Sequence, residues 1–135
     1  MSEANKAVVK RLYEEINAGN LAAFDTLVDD SFVEHEDNGT PPTKAGVKAF
    51  FEIVLAAFPD FRMSPEHLVA ESDLVSVFLT VTGTQRGEFM GIPATNKSVS
   101  VNVSDLMRVQ NGKITEHWGI TDMAALMQQL GVGPS

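Results

Sequence analysis

In the stretch Ser98–Val109 the odd positions are Val99, Val101, Val103, Asp105, Met107 and Val109, so a single carboxyl shares a face with five apolar side chains. That alternation predicts a strand. Among valines and a methionine the charged form of Asp105 is penalised by desolvation, which suits a proton donor. The alternative is a buried acid satisfied by a helix or by a base from elsewhere. Arg108 falls on the opposite face, away from any chemistry at Asp105.

A second carboxyl, Asp122, closes the segment Ile114–Asp122, whose even positions bring Trp118, Ile120 and Asp122 together. Asp122 also stands directly before Met123-Ala124-Ala125-Leu126, where an Asp is an ordinary helix N-cap. A helix N-terminus favours an ionised carboxylate, so Asp122 is the expected base and Asp105 the expected acid. Such a pair suits proton abstraction beside a carbonyl coupled to protonation of an oxygen. His35 shares strand parity with Val33 and is read as a polar cavity residue, whereas His117 alternates with Trp118 and is expected to face outward. His67 is read as structural. No HxxxH pair and no Cys are present, so no metal site is expected. Tyr13 lies on an apolar helical stripe, from which its hydroxyl reaches a cavity or its ring simply packs in the core.

Positioning these groups takes one domain, because 135 residues is the size of an ordinary single domain, expected here to span 1–135. With 44% hydrophobic residues, eight of them Phe, the chain has enough apolar material for a packed core. Ten basic residues against eighteen acidic ones leave a net charge of −8, with no Lys or Arg run, which argues against nucleic acid and anionic membranes as partners. The absence of Cys removes thiol nucleophiles, disulfides and thiolate zinc sites together. The polar start and the lack of any run of ~18 apolar residues predict a soluble, cytoplasmic protein.

Val8, Val9, Leu12, Tyr13 and Ile16 form one helical stripe, stopped by Asn17-Ala18-Gly19-Asn20. A short second helix follows over Leu21, Phe24, Leu27 and Val28, then a strand at Phe32–Glu36. Thr43 is the expected N-cap of a third helix with the stripe Val47, Phe50, Phe51, Val54, Leu55 and Phe58, and Pro59 ends it. Strands are expected at Phe61–Glu71, Leu74–Thr84, Lys97–Val109 and Ile114–Ile120, the last two joined at Asn111-Gly112. The segment Arg86–Asn96 carries Phe89, Met90 and Ile92 and is expected to fold over a cavity mouth. A final helix holds Met123, Leu126, Met127 and Leu130 and stops at Gly131. Helices first and antiparallel strands after predict an α+β domain in which a curved sheet wraps a helical layer as a cone with an apolar pocket. The uncharged polar row Ser98, Ser100, Asn102 and Ser104 on the outer face suits pairing into a homodimer.

The segments GTQRGEFMGIPAT from Gly83 and NGKITEHW from Asn111, with Asp122, Phe32-Val33-Glu34-His35 and Phe58-Pro59-Asp60, resemble the SnoaL-like polyketide cyclases over nearly the whole chain. The resemblance implies the cone-shaped nuclear-transport-factor-two-like fold, an apolar pocket and a homo-oligomer. It further implies intramolecular aldol ring closure without metal or cofactor, with the residue matching Asp122 as general acid/base. This chain carries Gln85 where relatives often have His, and Asp105 where the aromatic polyketide cyclases carry His. Asp105 also looks like the proton-donating Asp of ketosteroid isomerases, but their essential Tyr would fall on Leu12, one residue from Tyr13. The leading expectation is a cofactor-independent cyclase acting on a hydrophobic multi-carbonyl molecule, with catalytic Asp122 and Asp105 and with His35, Gln85, Trp118, Tyr13, Phe89 and Met90 binding substrate. A non-catalytic binding protein with the same pocket is the alternative. Isomerase and epoxide hydrolase readings rank lower, the latter because Arg108 opposes Asp105.

Overall fold

The structure is a computed structural model that describes residues 2–132; Met1 and residues 133–135 of the expected domain lie outside the described residues. Helix α1 spans Ser2–Asn17 and buries Val9, Leu12, Tyr13 and Ile16, the stripe its periodicity marks. A 3₁₀ turn at Leu21–Ala23 runs into the single-turn α2 (Phe24–Leu27). Strand β1 then covers Val28–Glu34. It begins four residues before the expected Phe32, because the turn of α2 ends at Val28 and this β-branched residue already pairs with Ile114.

Helix α3 spans Lys44–Ala57 and opens where the Thr43 hydroxyl accepts the Gly46 N–H at 3.1 Å. Strands β2 (Arg62–Glu71), β3 (Leu74–Thr84), β4 (Ser98–Gln110) and β5 (Lys113–Thr121) follow, then α4 (Met123–Leu130). They form one five-stranded sheet in the order β1-β5-β4-β3-β2, antiparallel except for the β1–β5 pair. The β4–β5 hairpin turns at Asn111 and Gly112, with φ of 53° and 76°, the left-handed pair a tight hairpin of matching twist requires.

The concave side of the sheet takes two apolar clusters. One packs α1 against Val75, Val77, Leu79 and Met107; the other joins Val54, Ala57 and Phe58 of α3's end to Phe89, Val99, Val101 and Leu126. On β4 the odd residues Val99 to Val109 point in and Ser98, Ser100, Asn102 and Ser104 point out, as alternation requires. Exposed Phe78 and Ile120 share that outer face. No helix among the described residues is long and apolar enough to cross a membrane.

One irregularity decides the site. Arg108 pairs with Glu116 but Val109 pairs with Ile114, so Thr115 is an extra residue, a β-bulge that flips the parity of β5. Ile114 faces in with Val109, but beyond the bulge it is His117, Gly119 and Thr121 that lie opposite inward-facing Met107, Asp105 and Val103. The expected inner set of Trp118, Ile120 and Asp122 is therefore the outer one, and His117, expected to face outward, points into the cone.

Candidate active site

Between sheet and helices lies a cavity of about 270 Å³. Its walls are apolar, among them Phe24, Phe51, Phe58, Phe61, Val99 and Val101, and its polar groups gather at one end: Tyr13, Glu34, Glu36, Asp105, His117 and Thr121. Asp37, Met90 and Met123, all exposed or half-buried, mark the rim.

Four of the polar side chains form a continuous hydrogen-bonded array. The Tyr13 hydroxyl donates to Asp105 Oδ2 at 2.6 Å. The other oxygen, Oδ1, lies 2.7 Å from His117 Nε2, and His117 Nδ1 lies 2.5 Å from Glu34 Oε2. Each member comes from a different element: α1, β4, β5 and β1. Tyr13, Asp105 and Glu34 are 1%, 4% and 7% exposed, so neither carboxylate is solvated enough to stand unpaired. Burial by itself would lower the His117 pKa, yet hydrogen bonds and charge from Asp105 and Glu34 raise it to about 10. The ring is thus an imidazolium that donates both N–H groups, and both carboxylates accept. Burial, reinforced by the Asp105 charge and hydrogen bond, pushes the Tyr13 phenol well above its ordinary value.

Glu36 follows β1 at a bend, its backbone N–H held by Glu34 Oε2 at 3.0 Å. Its Oε2 accepts a 3.3 Å bond from Thr121 Oγ1, whereas Oε1 lies against the backbone of Gly119. A Cβ at Gly119 would sit 2.5 Å from that oxygen, 2.7 Å from His117 Cε1 and 2.9 Å from Asp105 Oδ1. Glu34, Glu36 and His117 each bring one ligating atom to within 4.8 Å of the others, the spacing of a metal cluster. With both ring nitrogens bonded to carboxylates, however, His117 has no lone pair to give, and the set fits bound protons better than a cation.

Of the residues singled out from sequence, Tyr13, Asp105, Phe89 and Met90 line the cavity; Phe89 packs edge-on against Phe58 at 5.3 Å, and Met90, 61% exposed, is at the rim. Asp122, His35, Trp118 and Gln85 do not line it. Asp122 is exposed, and its Oδ1 accepts the Ala125 N–H at 3.1 Å as the cap of α4. His35 stacks on Trp118 at 4.7 Å and bonds Glu116 at 2.9 Å on the outer face. Gln85 is fully buried, but its amide is spent on the β3–β4 loop: Nε2 donates to the Ile92 carbonyl at 3.0 Å and Oε1 accepts from Thr95 Oγ1 at 2.8 Å. Sequence reasoning missed Glu34, Glu36 and His117. Glu34 shares parity with Val28 and Phe32 and was legible there, whereas His117 needed the bulge and Glu36 needed the bend.

The cap geometry makes a direct expectation. Asp122→Ala should cost about 1 kcal/mol of stability, and Asp122→Asn, itself a good cap, only a few tenths. Thermal unfolding of both variants checks it; an Asn variant of full stability that has lost turnover would return Asp122 to the chemistry.

Residues 7–130 match the family described as SnoaL-like polyketide cyclase. Among curated proteins, the nogalonic acid methyl ester cyclase of Streptomyces nogalater is 30% identical over 122 residues, covering 82% of this chain and 91% of the relative. Among solved structures, IdmH of Streptomyces antibioticus, a candidate polyketide cyclase, is 31% identical with a TM-score of 0.83, over 95% of this chain and 99% of its own. AclR of Streptomyces galilaeus, a candidate hydroxylase, is 29% identical with a TM-score of 0.89, over 99% and 100%.

Proposed function

The chain belongs to the SnoaL-like polyketide cyclase family and has its nuclear-transport-factor-two-like cone, and from that premise we propose that it closes a ring in a neutral, hydrophobic, multi-carbonyl molecule by cofactor-independent acid/base chemistry. The observation that carries the reading is His117 hydrogen-bonded through both ring nitrogens to Asp105 and Glu34 at the polar end of an otherwise apolar cavity. An intramolecular aldol closure is an isomerisation: one C–H bond and the π bond of one carbonyl break, and one C–C bond and one O–H bond form. The site must therefore take one proton and return one, and nothing is oxidised or reduced.

The apolar walls take the body of the substrate and leave its carbonyls at the end where hydrogen bonds are offered. There the His117 cation lies close to the negative charge that develops on an enolate oxygen and later on the aldol oxygen. Asp105, between Tyr13 and His117, keeps that cation in place, and the hydrogen-bonded array of the three is the reservoir from which a proton reaches the product oxygen. The relative's substrate class supplies the test. Incubation with nogalonic acid methyl ester and a panel of neutral polyketide esters should give a ring-closed product of unchanged mass. Asp105→Asn should slow its formation by roughly 10²- to 10⁴-fold. Binding of these esters without conversion of any would overturn the reading in favour of a carrier.

A further inference from the structure

At the polar end every oxygen and nitrogen of Tyr13, Asp105 and His117 that the array uses is already engaged, and Glu34 Oε2 serves both His117 and the Glu36 N–H. A group that accepts a proton from carbon needs a lone pair free to face the substrate. Glu36 Oε1 is such an atom: it takes part in no hydrogen bond among the described residues, it is not sealed off, and its residue lines the cavity. What brings it there is a missing side chain. β5 turns position 119 inward, directly opposite Asp105, and the Glu36 carboxyl takes the space that a Cβ on Gly119 would need.

The geometry points to Glu36 as the catalytic base of the cavity, with Gly119 as the positioning residue whose lack of a side chain admits it. This rests on reading the cavity as an acid/base site. The groups facing the Glu36 carboxyl are His117 and Thr121 from β5, Asp105 from β4 and Glu34 from β1. Burial is the largest influence and raises its pKa; His117 opposes this, Asp105 and Glu34 add to it, and the Thr121 bond opposes it weakly. The net result is above the ordinary glutamate range, toward the pH at which a carboxylate is both ionised and basic enough to abstract a proton from carbon. Asp105 has both oxygens in hydrogen bonds, to Tyr13 and to His117. Glu34 is held through Oε2 by His117 and the Glu36 N–H, and although its Oε1 is unbonded its residue is only 7% exposed, whereas Glu36 is half-buried.

A probe with no aldol chemistry tests this apart from ring closure. 5-Nitrobenzisoxazole is flat and neutral, and it needs only a base. The carboxylate removes the ring C–H proton, the C–H electron pair becomes part of a nitrile, and the N–O bond breaks to leave a coloured cyanophenolate; the proton passes from Glu36 to water. The wild-type protein should accelerate this elimination, with a rate that rises with pH around a midpoint above the ordinary glutamate value of about 4.3. Glu36→Gln should reduce the rate roughly 10²-fold or more at nearly unchanged melting temperature. Glu36→Asp should keep part of the rate and shift the midpoint. Gly119→Ala should lose the rate although Glu36 is present, because the added methyl would occupy the carboxyl's place.

A wild-type protein that does not accelerate the probe, or a Glu36→Gln variant that still does, overturns the assignment even if the ester panel is cyclised. A Gly119→Ala variant with full rate and an unmoved midpoint overturns the positioning role. Loss of the rate in Glu36→Gln upholds the base even if no ester is turned over, so the two readings fail separately.

Discussion

Replacement of His117 by leucine will lower the unfolding free energy by roughly 3–5 kcal/mol, the range for breaking a buried ion pair by removing one partner. The leucine fills a similar volume, so little of the loss comes from packing. What remains is Asp105 and Glu34, both almost wholly buried, facing each other across the vacated ring without the cation that made both bonds. Tyr13 still donates to Asp105 and the Glu36 N–H still donates to Glu34, but one hydrogen bond each does not offset the desolvation of two carboxylates. For a domain of this size the melting temperature should drop by roughly 10–20 °C. Adding Asp105→Asn and Glu34→Gln to His117→Leu should recover part of the loss, because the charges are then gone while size is kept. A His117→Leu variant that melts within a few degrees of wild type would mean that water or protons satisfy the two carboxylates and that no ion pair organises the site.

The elements of this fold were legible because most of them are written locally. The α1 stripe, the Thr43 cap, the stop at Pro59 and the Asn111-Gly112 turn each depend on residues within a few positions, and each stands where its local signal lies. Asp105 was legible for the same reason: a continuous strand keeps its alternation for thirteen residues. β5 was not, since its parity is broken by one extra residue, and a bulge shows only in the pairing of Arg108 and Val109 with their partners across the hairpin. That single residue moved His117 in and Trp118 out, and it separated Asp122 from the cavity. Gln85 shows a second limit. Its type and place suggested a substrate contact, but whether an amide faces a ligand or its own loop depends on where Ile92 and Thr95 return, which is a tertiary fact.

Stability should also fall as pH rises from 6.5 toward 10. The His117 pKa is about 10 in the folded chain against 6.5 for a free side chain, so the folded state binds this proton more tightly than the unfolded one. Such a group contributes fully below pH 6.5, and the contribution is lost progressively until the folded pKa is passed. A shift of this size amounts to several kcal/mol, of the same order as the leucine substitution. Glu36, also raised, acts with the same sign at the acid end of the range, between its ordinary value and its folded one. Asp29, Asp60 and Glu116 are lowered by their hydrogen bonds to Ser31, Thr84, and His35 with Arg108; they act with the opposite sign, on acidification, and all three are too exposed for a large effect. Tyr13 titrates well above the window and stays protonated throughout. Melting temperatures of wild type and His117→Gln, measured at constant ionic strength across this range, isolate the histidine's contribution: the wild-type curve should descend toward that of the variant as the pH approaches 10. A wild-type curve that runs parallel to the variant would place the imidazole in its neutral form, and the proton shared along the array would then rest on a carboxyl instead.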